Sequence, residues 1–425
     1  MLACIVYIGG AAIEFFSHNH SFEMLLSGRI VVGLGVGWLS STVPMFIAEL
    51  SPAHIRGMLV TSNQLNICIG ILVGYLVDRF VTHWWVQLGC GAFLAGPLIL
   101  SFLFVTPMSP RWLAAQGRFD DARKVLLSIR GEHETAYVGA ELGEIAKSLE
   151  TVSHGWDRLR EPAVFRSVVV GCVLGVFQQI TGVNAINAYA PDVLQAAGFS
   201  AEESKSMAVY IGVVKVVLVA IAMGLMDVLG RKTMLLTGTL GMIICMVALS
   251  SILLYFDRQD EKVPSGWGMT SAVCLWFYMA FFEISLGPVL WLLLSEMFPL
   301  EIRGTAMALG STTNWVCVFI VLILFVPLEK AISIYGLFYL YSAIGVAAIV
   351  FTVYYVPETK GRTLEEIEDV FREAVGEEKL FDHKRKAGKV KEVVAVQEGG
   401  SYAGRGGEYG AKVSAEGLNR SEYTV

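Results

Sequence analysis

Long apolar stretches recur along this chain of 425 residues, and they restrict its fold more than any other feature. Each is about 20 residues long, which is the length that crosses the hydrocarbon core of a bilayer as an α-helix. A helix satisfies its own backbone hydrogen bonds there, so these stretches predict an all-α membrane protein. The ten predicted spans are 1–17, 25–49, 58–78, 84–106, 165–188, 207–227, 233–256, 268–296, 305–326 and 334–356.

The composition agrees with a membrane protein. Hydrophobic residues make up 55% of the chain and charged residues only 16%, whereas soluble proteins average about 25% charged residues. The net charge of −6 argues against a nucleic-acid partner. All seven cysteines lie inside apolar stretches, so they are interpreted as small hydrophobic residues and not as disulfides or metal ligands. No cofactor is predicted, and no motif of an enzyme is found.

One charged motif occurs twice, as "ELSPAHIRG" at 49–57 and "EMFPLEIRG" at 296–304. The first copy closes the second span and the second copy closes the eighth, so the repeat unit is six helices. The second half has all six predicted spans, but the first half has only four. Parallel six-helix repeats are the plan of one large class of secondary transporters.

Lysine and arginine set the predicted orientation, because cytoplasmic loops are enriched in both. The polar stretch 107–164 holds eight and the segment after Pro357 holds twelve, whereas the opposite loops together hold five. Both termini are therefore predicted to be cytoplasmic. The predicted domains are a four-span bundle (1–106), a linker with short amphipathic helices (107–164), a six-span bundle (165–356), and a polar helix with a disordered tail (357–425).

Further motifs in a fixed order resemble the sugar porter branch of the major facilitator superfamily. They are "GRIVVGLGVG" (28–37), "PMSPRWL" (107–113), "QQITGVNAINAYAP" (178–191), "DVLGRK" (227–232), "GPVLWLLLSE" (287–296), "NW" (314–315) and "PETKGRT" (357–363). The resemblance implies the major facilitator fold, with about ten spanning helices in bundles of four and six. It also implies that the first two helices of the family are missing here.

The resemblance implies a role for the charges at the cytoplasmic ends of the spans. In the family, such charges form a salt-bridge gate that holds the two halves together while the cavity faces outward. The matching residues are Glu49, Arg56, Arg111, Asp227, Arg231, Glu296, Arg303, Glu358 and Arg362. Met108 stands where the family has glutamate, so Arg111 is expected to lack its usual partner.

A sugar needs side chains that both donate and accept hydrogen bonds, together with an aromatic surface. The resemblance implies that such residues inside the spans contact the substrate. The predicted substrate-binding residues are Gln64, Gln178, Gln179, Asn184, Tyr189, Trp291, Asn314 and Trp315. Gly182 is expected to loosen the helix between Gln178 and Asn184. The alternative role for an amide inside a membrane is a hydrogen bond that joins helices.

Lys215 and Glu283 lie deep in predicted spans, where ionisable residues are costly and usually functional. Both are counted among the candidate substrate-binding residues. Lys215 could bind a carboxylate substrate, or it could pair with Glu283 inside the protein. The resemblance also implies a role for Arg29 in proton coupling. In the family, the matching arginine lies beside an acidic residue on the first helix. That helix is absent here, so Arg29 is expected to lack an acidic partner.

The leading hypothesis is a plasma-membrane transporter of a monosaccharide or related polyol, working by alternating access, either as a proton symporter or by facilitated diffusion. Two alternatives stay open. Lys215 favours a quinate-type polyhydroxy acid as the substrate. The missing helices favour a truncated product or a sensor that does not transport.

Overall fold

The computed structural model describes residues 1–19, 22–52, 55–104, 106–131, 133–151, 158–261, 263–298, 302–362 and 364–376. Helices account for nearly all of them. The first bundle contains α1 (Leu2–Phe16), α2 (Phe22–Leu50), α3 (Arg56–Phe80) and α4 (Trp84–Phe104). The linker contains α5 (Pro110–Ala115), α6 (Phe119–Arg130) and α7 (Thr135–Thr151).

The second bundle begins with α8 (Pro162–Ile180), α9 (Val183–Ala188) and α10 (Ala190–Ala196). It continues with α11 (Ala201–Leu229), α12 (Arg231–Arg258), α13 (Ser265–Ile284), α14 (Leu286–Met297) and α15 (Arg303–Tyr355), and α16 (Leu364–Ala374) follows it. The predicted all-α membrane fold is confirmed, and eight helical segments among the described residues are long and apolar enough to cross a membrane. Two details differ from the ten predicted spans.

The first difference is in α15, which has 53 residues and holds the last two predicted spans. The segment 327–333 was predicted as a loop, but it is helical up to Ser333, where a positive φ of 64° bends the chain. Pro327 therefore does not end the helix. The second difference is that α1, with 15 residues, is shorter than the eight helical segments that are long and apolar enough to cross a membrane.

Helices α5, α6 and α7 lie within the linker. The hydrophobic face of each turns inward, and together they bury a small core of their own that includes Leu113, Leu126 and Val138. The short polar helix predicted after Pro357 is α16. The predicted disordered tail lies outside the described residues.

Glycines allow α1 and α2 to pack backbone to backbone. A Cβ atom on Gly10 would stand 2.6 Å from the backbone nitrogen of Val32, and one on Gly28 would stand 2.8 Å from Glu14 Cγ. Small residues at such crossings let membrane helices approach closely. Between the bundles, α3 lies mainly along α11, and this contact brings polar side chains of the two halves together.

Candidate substrate-binding site and charge clusters

A helix break positions the amides of the fifth span. Helix α8 ends at Ile180, Gly182 has a φ of +92°, and α9 starts at Val183. The break lies between Gln179 and Asn184, so both amides turn toward the same region. The expected loosening of the helix at Gly182 is confirmed. A second break at Ser285 separates α13 from α14 and brings the first turn of α14 to face α8.

Gln178 is the centre of a buried amide network. Its Nε2 donates to the carbonyl oxygens of Leu286 (2.7 Å) and Gly287 (3.3 Å). Its Oε1 accepts from Gln179 Nε2 (2.9 Å) and from Asn314 Nδ2 (2.7 Å). The network therefore joins α8, α14 and α15.

Asn184 extends this network, because its Nδ2 donates to Gln179 Oε1 at 2.5 Å. Four of the predicted substrate-binding residues thus lie in hydrogen-bonding contact, namely Gln178, Gln179, Asn184 and Asn314. Three of them are almost fully buried, and Asn184 is half-buried. Whether they bind substrate stays a prediction, but the structure places them together.

Lys215 and Glu283 form a second buried cluster with Gln64. Lys215 Nζ lies 2.9 Å from Glu283 Oε1, and the two side chains are 2% and 0% exposed. Gln64 Nε2 donates to Glu283 Oε2 at 3.0 Å, which joins α3 of the first bundle to α13 of the second. Of the two roles left open for Lys215, the internal ion pair is the one that the geometry favours.

The aromatic candidates lie outside the amide network. Tyr189 stacks on Phe325, with ring centroids 4.5 Å apart and planes 7° apart. Trp315 is 41% exposed, donates to Ser40 Oγ at 2.9 Å, and lines a cavity of about 730 Å³ between α2 and α15. Trp291 is partly buried against the core of the second bundle, one turn beyond Gly287.

Arg29 has an acidic partner, so the expectation that it lacks one was wrong. Its Nε lies 3.4 Å from Oε1 of Glu14, a residue of α1 that is almost fully buried. Arg29 itself is about half exposed and lines the same cavity as Trp315. Glu14 was not predicted as this partner, because the resemblance placed the acidic partner on a different helix of the family. A lone glutamate within the apolar stretch "IGGAAIEFF" was the available signal.

Charges at the linker-side helix ends form a cluster in the second half. Arg231 makes two contacts to Glu296, of 2.8 and 3.3 Å. Glu358 accepts from the backbone nitrogens of Arg231 (2.9 Å) and Lys232 (3.1 Å) at the start of α12, where a helix N-terminus favours an anion. In the first half, Glu49 accepts from Ser109 Oγ at 2.5 Å.

The other predicted gate residues are less informative. Arg303 donates to the carbonyl oxygen of Phe298. Within the described part of the chain, Arg111 and Arg362 make no ion pair. The side chains of Arg56 and Asp227 lie outside the described residues. A gate that joins the two halves on this side therefore stays a prediction.

Ion pairs join the two halves at the opposite helix ends, where the sequence predicted none. Lys205 Nζ lies 3.0 Å from Asp78 Oδ1, and Arg79 Nη2 lies 3.2 Å from Glu202 Oε1. Arg79 Nε also donates to Ser206 Oγ at 2.9 Å. These contacts connect the end of α3 to the start of α11, so the two halves meet on the side away from the linker.

Replacement of Glu296 by alanine is expected to destabilise the protein. The Arg231 side chain is 9% exposed and Glu296 21%, which places this pair between a surface and a fully buried salt bridge. Its loss should lower the free energy of unfolding by about 2 kcal/mol. Thermal unfolding in detergent measures the effect. Glu202→Ala, which breaks a pair whose acid is 79% exposed, is the matched control and should leave the melting temperature unchanged. Equal shifts for both variants would contradict the prediction.

Comparisons with known proteins cover most of the chain. A family model described as "Sugar (and other) transporter" matches residues 1–371. Glucose transporter GlcP of Staphylococcus epidermidis is 34% identical over 380 residues, which cover 88% of this chain and 82% of that protein. Probable polyol transporter 4 of Arabidopsis thaliana is 36% identical over 406 residues, which cover 90% and 74%.

A solved structure shares the architecture. The proton:xylose symporter XylE of the major facilitator superfamily, bound to 6-bromo-6-deoxy-D-glucose, matches with a TM-score of 0.73 and 31% identity over 87% of this chain and 82% of that one. The spanning helices, their order and the family match all agree. This multi-pass membrane protein therefore has the major facilitator fold and belongs to the family of sugar and other transporters.

Proposed function

We propose that the protein moves a monosaccharide or a related polyol across a membrane by alternating access. The observation that carries the proposal is the buried amide network centred on Gln178, which joins α8, α14 and α15. The names of the relatives support the substrate class, because they include a glucose transporter, a polyol transporter and a xylose symporter.

The chemistry of the network suits a substrate rich in hydroxyl groups. Each amide both donates and accepts, as each sugar hydroxyl does. The amides now bond to one another, and a sugar would replace these bonds with bonds of the same kind. Polar groups would then stay paired in both states, which avoids the penalty for an unpaired buried group. Trp291 would supply the apolar surface that the sugar ring requires.

Alternating access requires contacts that form on one side and break on the other. In this structure the pairs Asp78–Lys205 and Arg79–Glu202 join the two halves at the end away from the linker. The linker-side charges, including Glu49, Arg111, Arg303 and Arg362, would close the other end in the opposite state. Part-exposed ion pairs suit this task because they contribute little energy each and can exchange.

Proton symport is part of the proposal. Glu14 is a buried carboxylate in the first bundle, and Arg29 connects it to the cavity that Trp315 also lines. A carboxylate in this position could take up a proton and release the arginine, which would couple protonation to a movement of α2 against α15. The excess of lysine and arginine in the linker supports cytoplasmic termini.

Transport by the purified protein in proteoliposomes tests the proposal. We expect exchange of labelled glucose, xylose or a hexitol across the membrane, and accumulation when the outside is made acidic. Glu14→Gln removes the charge with little change of shape. It should keep the exchange, which needs no net proton movement, and lose the accumulation.

Glu261→Gln is the matched control, because Glu261 is an exposed acid in a loop. It should retain both exchange and accumulation. Absence of exchange for every neutral sugar and polyol tested would overturn the transport proposal. Acid-driven accumulation by Glu14→Gln would overturn the role of Glu14 alone.

A further inference from the structure

The ion pair between Lys215 and Glu283 carries an inference about substrate charge. Both side chains are essentially inaccessible, and the charged atoms lie 2.9 Å apart. Within the described residues, Oε1 of Glu283 accepts no directed hydrogen bond, so the contact is held by opposite charge. Charges this deep in a membrane protein persist only when they are paired. Glu283 therefore cancels the charge of Lys215.

The other contacts of the pair leave little room for a different partner. Lys215 Nζ donates to Asn187 Oδ1 at 3.3 Å and lies 5.8 Å from the ring centroid of Phe282. The second oxygen of Glu283 accepts from Gln64. The ammonium group thus lies among one carboxylate, one amide and one aromatic ring, and the cluster is neutral overall.

The pair borders the predicted sugar site. Glu283 Oε2 lies 3.1 Å from the position that a Cβ atom on Gly287 would occupy. The carbonyl oxygen of the same glycine accepts from Gln178, the centre of the amide network. Gln64, itself a predicted sugar ligand, bonds directly to Glu283. A substrate bound between Gln64 and Gln178 would therefore lie beside Glu283 and Lys215.

We infer that Glu283 makes this site selective for uncharged polyols by masking Lys215, which would otherwise receive a substrate carboxylate. The inference rests on the proposed function and refines its substrate class. A carboxylate that entered the site would meet the negative charge of Glu283 at short range, where like charges repel strongly. Glu283 already neutralises Lys215, the cation that could attract the carboxylate, so no compensating attraction remains. A neutral sugar meets neither difficulty.

A matched pair of competitors tests the inference, because D-glucose and D-glucuronate differ only at C6. Each is added to an exchange assay of whichever neutral sugar the unmodified protein transports. In the unmodified protein, glucuronate should compete at least tenfold less well than glucose. In Glu283→Gln, Lys215 is no longer paired with a carboxylate. The preference for glucose over glucuronate should therefore fall by at least tenfold or reverse.

The double variant Glu283→Gln with Lys215→Met removes both charges and should restore the discrimination against glucuronate. Competition of glucuronate equal to glucose in the unmodified protein would overturn the inference, even if Glu283→Gln failed to fold. A folded Glu283→Gln protein with an unchanged preference for glucose over glucuronate would overturn the inference as well. Failure of the unmodified protein to exchange any neutral sugar would instead count against the proposed function.

Discussion

Replacement of Gly182 by alanine is expected to lower the free energy of unfolding by about 2–5 kcal/mol and to abolish transport. Two effects add. The φ of +92° lies in the left-handed region that a residue with a Cβ atom rarely adopts. The new Cβ atom would also stand 2.3 Å from Cε2 of the Tyr341 ring. Tyr341 is 6% exposed, so its ring has little space to move.

The consequence for transport follows from the place of this bend. Gly182 separates Gln179 from Asn184, which bond to each other across it. A chain that cannot bend there would move Asn184 away from the amide network. Thermal unfolding in detergent and sugar exchange in proteoliposomes measure the two effects.

Gly224→Ala is the matched control, because no atom of the described residues outside its own stretch of helix lies within 4 Å of the position that its Cβ would occupy. Gly224 lies within α11, where alanine has the higher helix propensity. This variant should melt at or above the temperature of the unmodified protein. A Gly182→Ala protein with the same melting temperature would show that the bend is not required.

Much of the fold was predictable because hydropathy along the chain decides it. Apolar stretches of spanning length can form only helices in this setting, and the duplicated Glu…Arg motif revealed the repeat. The loop predicted at 327–333, between the last two predicted spans, was wrong in its extent. In the structure the helix continues past Pro327, and the bend falls at Ser333, the last residue of the predicted loop.

The site was predictable in its members but only partly in its pairing. The motif "QQITGVNAINAYAP" pointed to Gln178, Gln179 and Asn184, and the structure brings these three together. Contacts between distant helices left no local pattern in the sequence. The partners of Arg29 and Asp78 depend on how whole helices pack, and Glu14 and Lys205 could be paired with them only from the structure.

Replacement of Gln178 by alanine is expected to reduce sugar exchange by about 5- to 150-fold, which corresponds to the loss of about 1–3 kcal/mol in a site without water. The side chain bonds to Leu286, Gly287, Gln179 and Asn314. If the proposal is right, a sugar uses some of these same groups. Sugar exchange and the rise in melting temperature on adding sugar are the two measurements.

The second measurement separates substrate binding from helix joining. A folded Gln178→Ala protein whose melting temperature no longer responds to sugar indicates a binding role. A protein that does not fold indicates that Gln178 chiefly joins α8 to α14 and α15. Asn66→Ala removes an amide of similar size from an exposed position on α3, where Nδ2 bonds to Ser62 O and to no other described residue. It should change neither measurement.

Asn184→Ala makes the test more sensitive, because Asn184 is half-buried and its side chain makes a single described bond, to Gln179. Its removal leaves the contacts among α8, α14 and α15 intact, so folding should be nearly normal. A loss of exchange in this variant would then reflect a missing contact with the sugar. Normal exchange and a normal response to sugar in Asn184→Ala, combined with an unfolded Gln178→Ala protein, would assign the network to structure and not to transport.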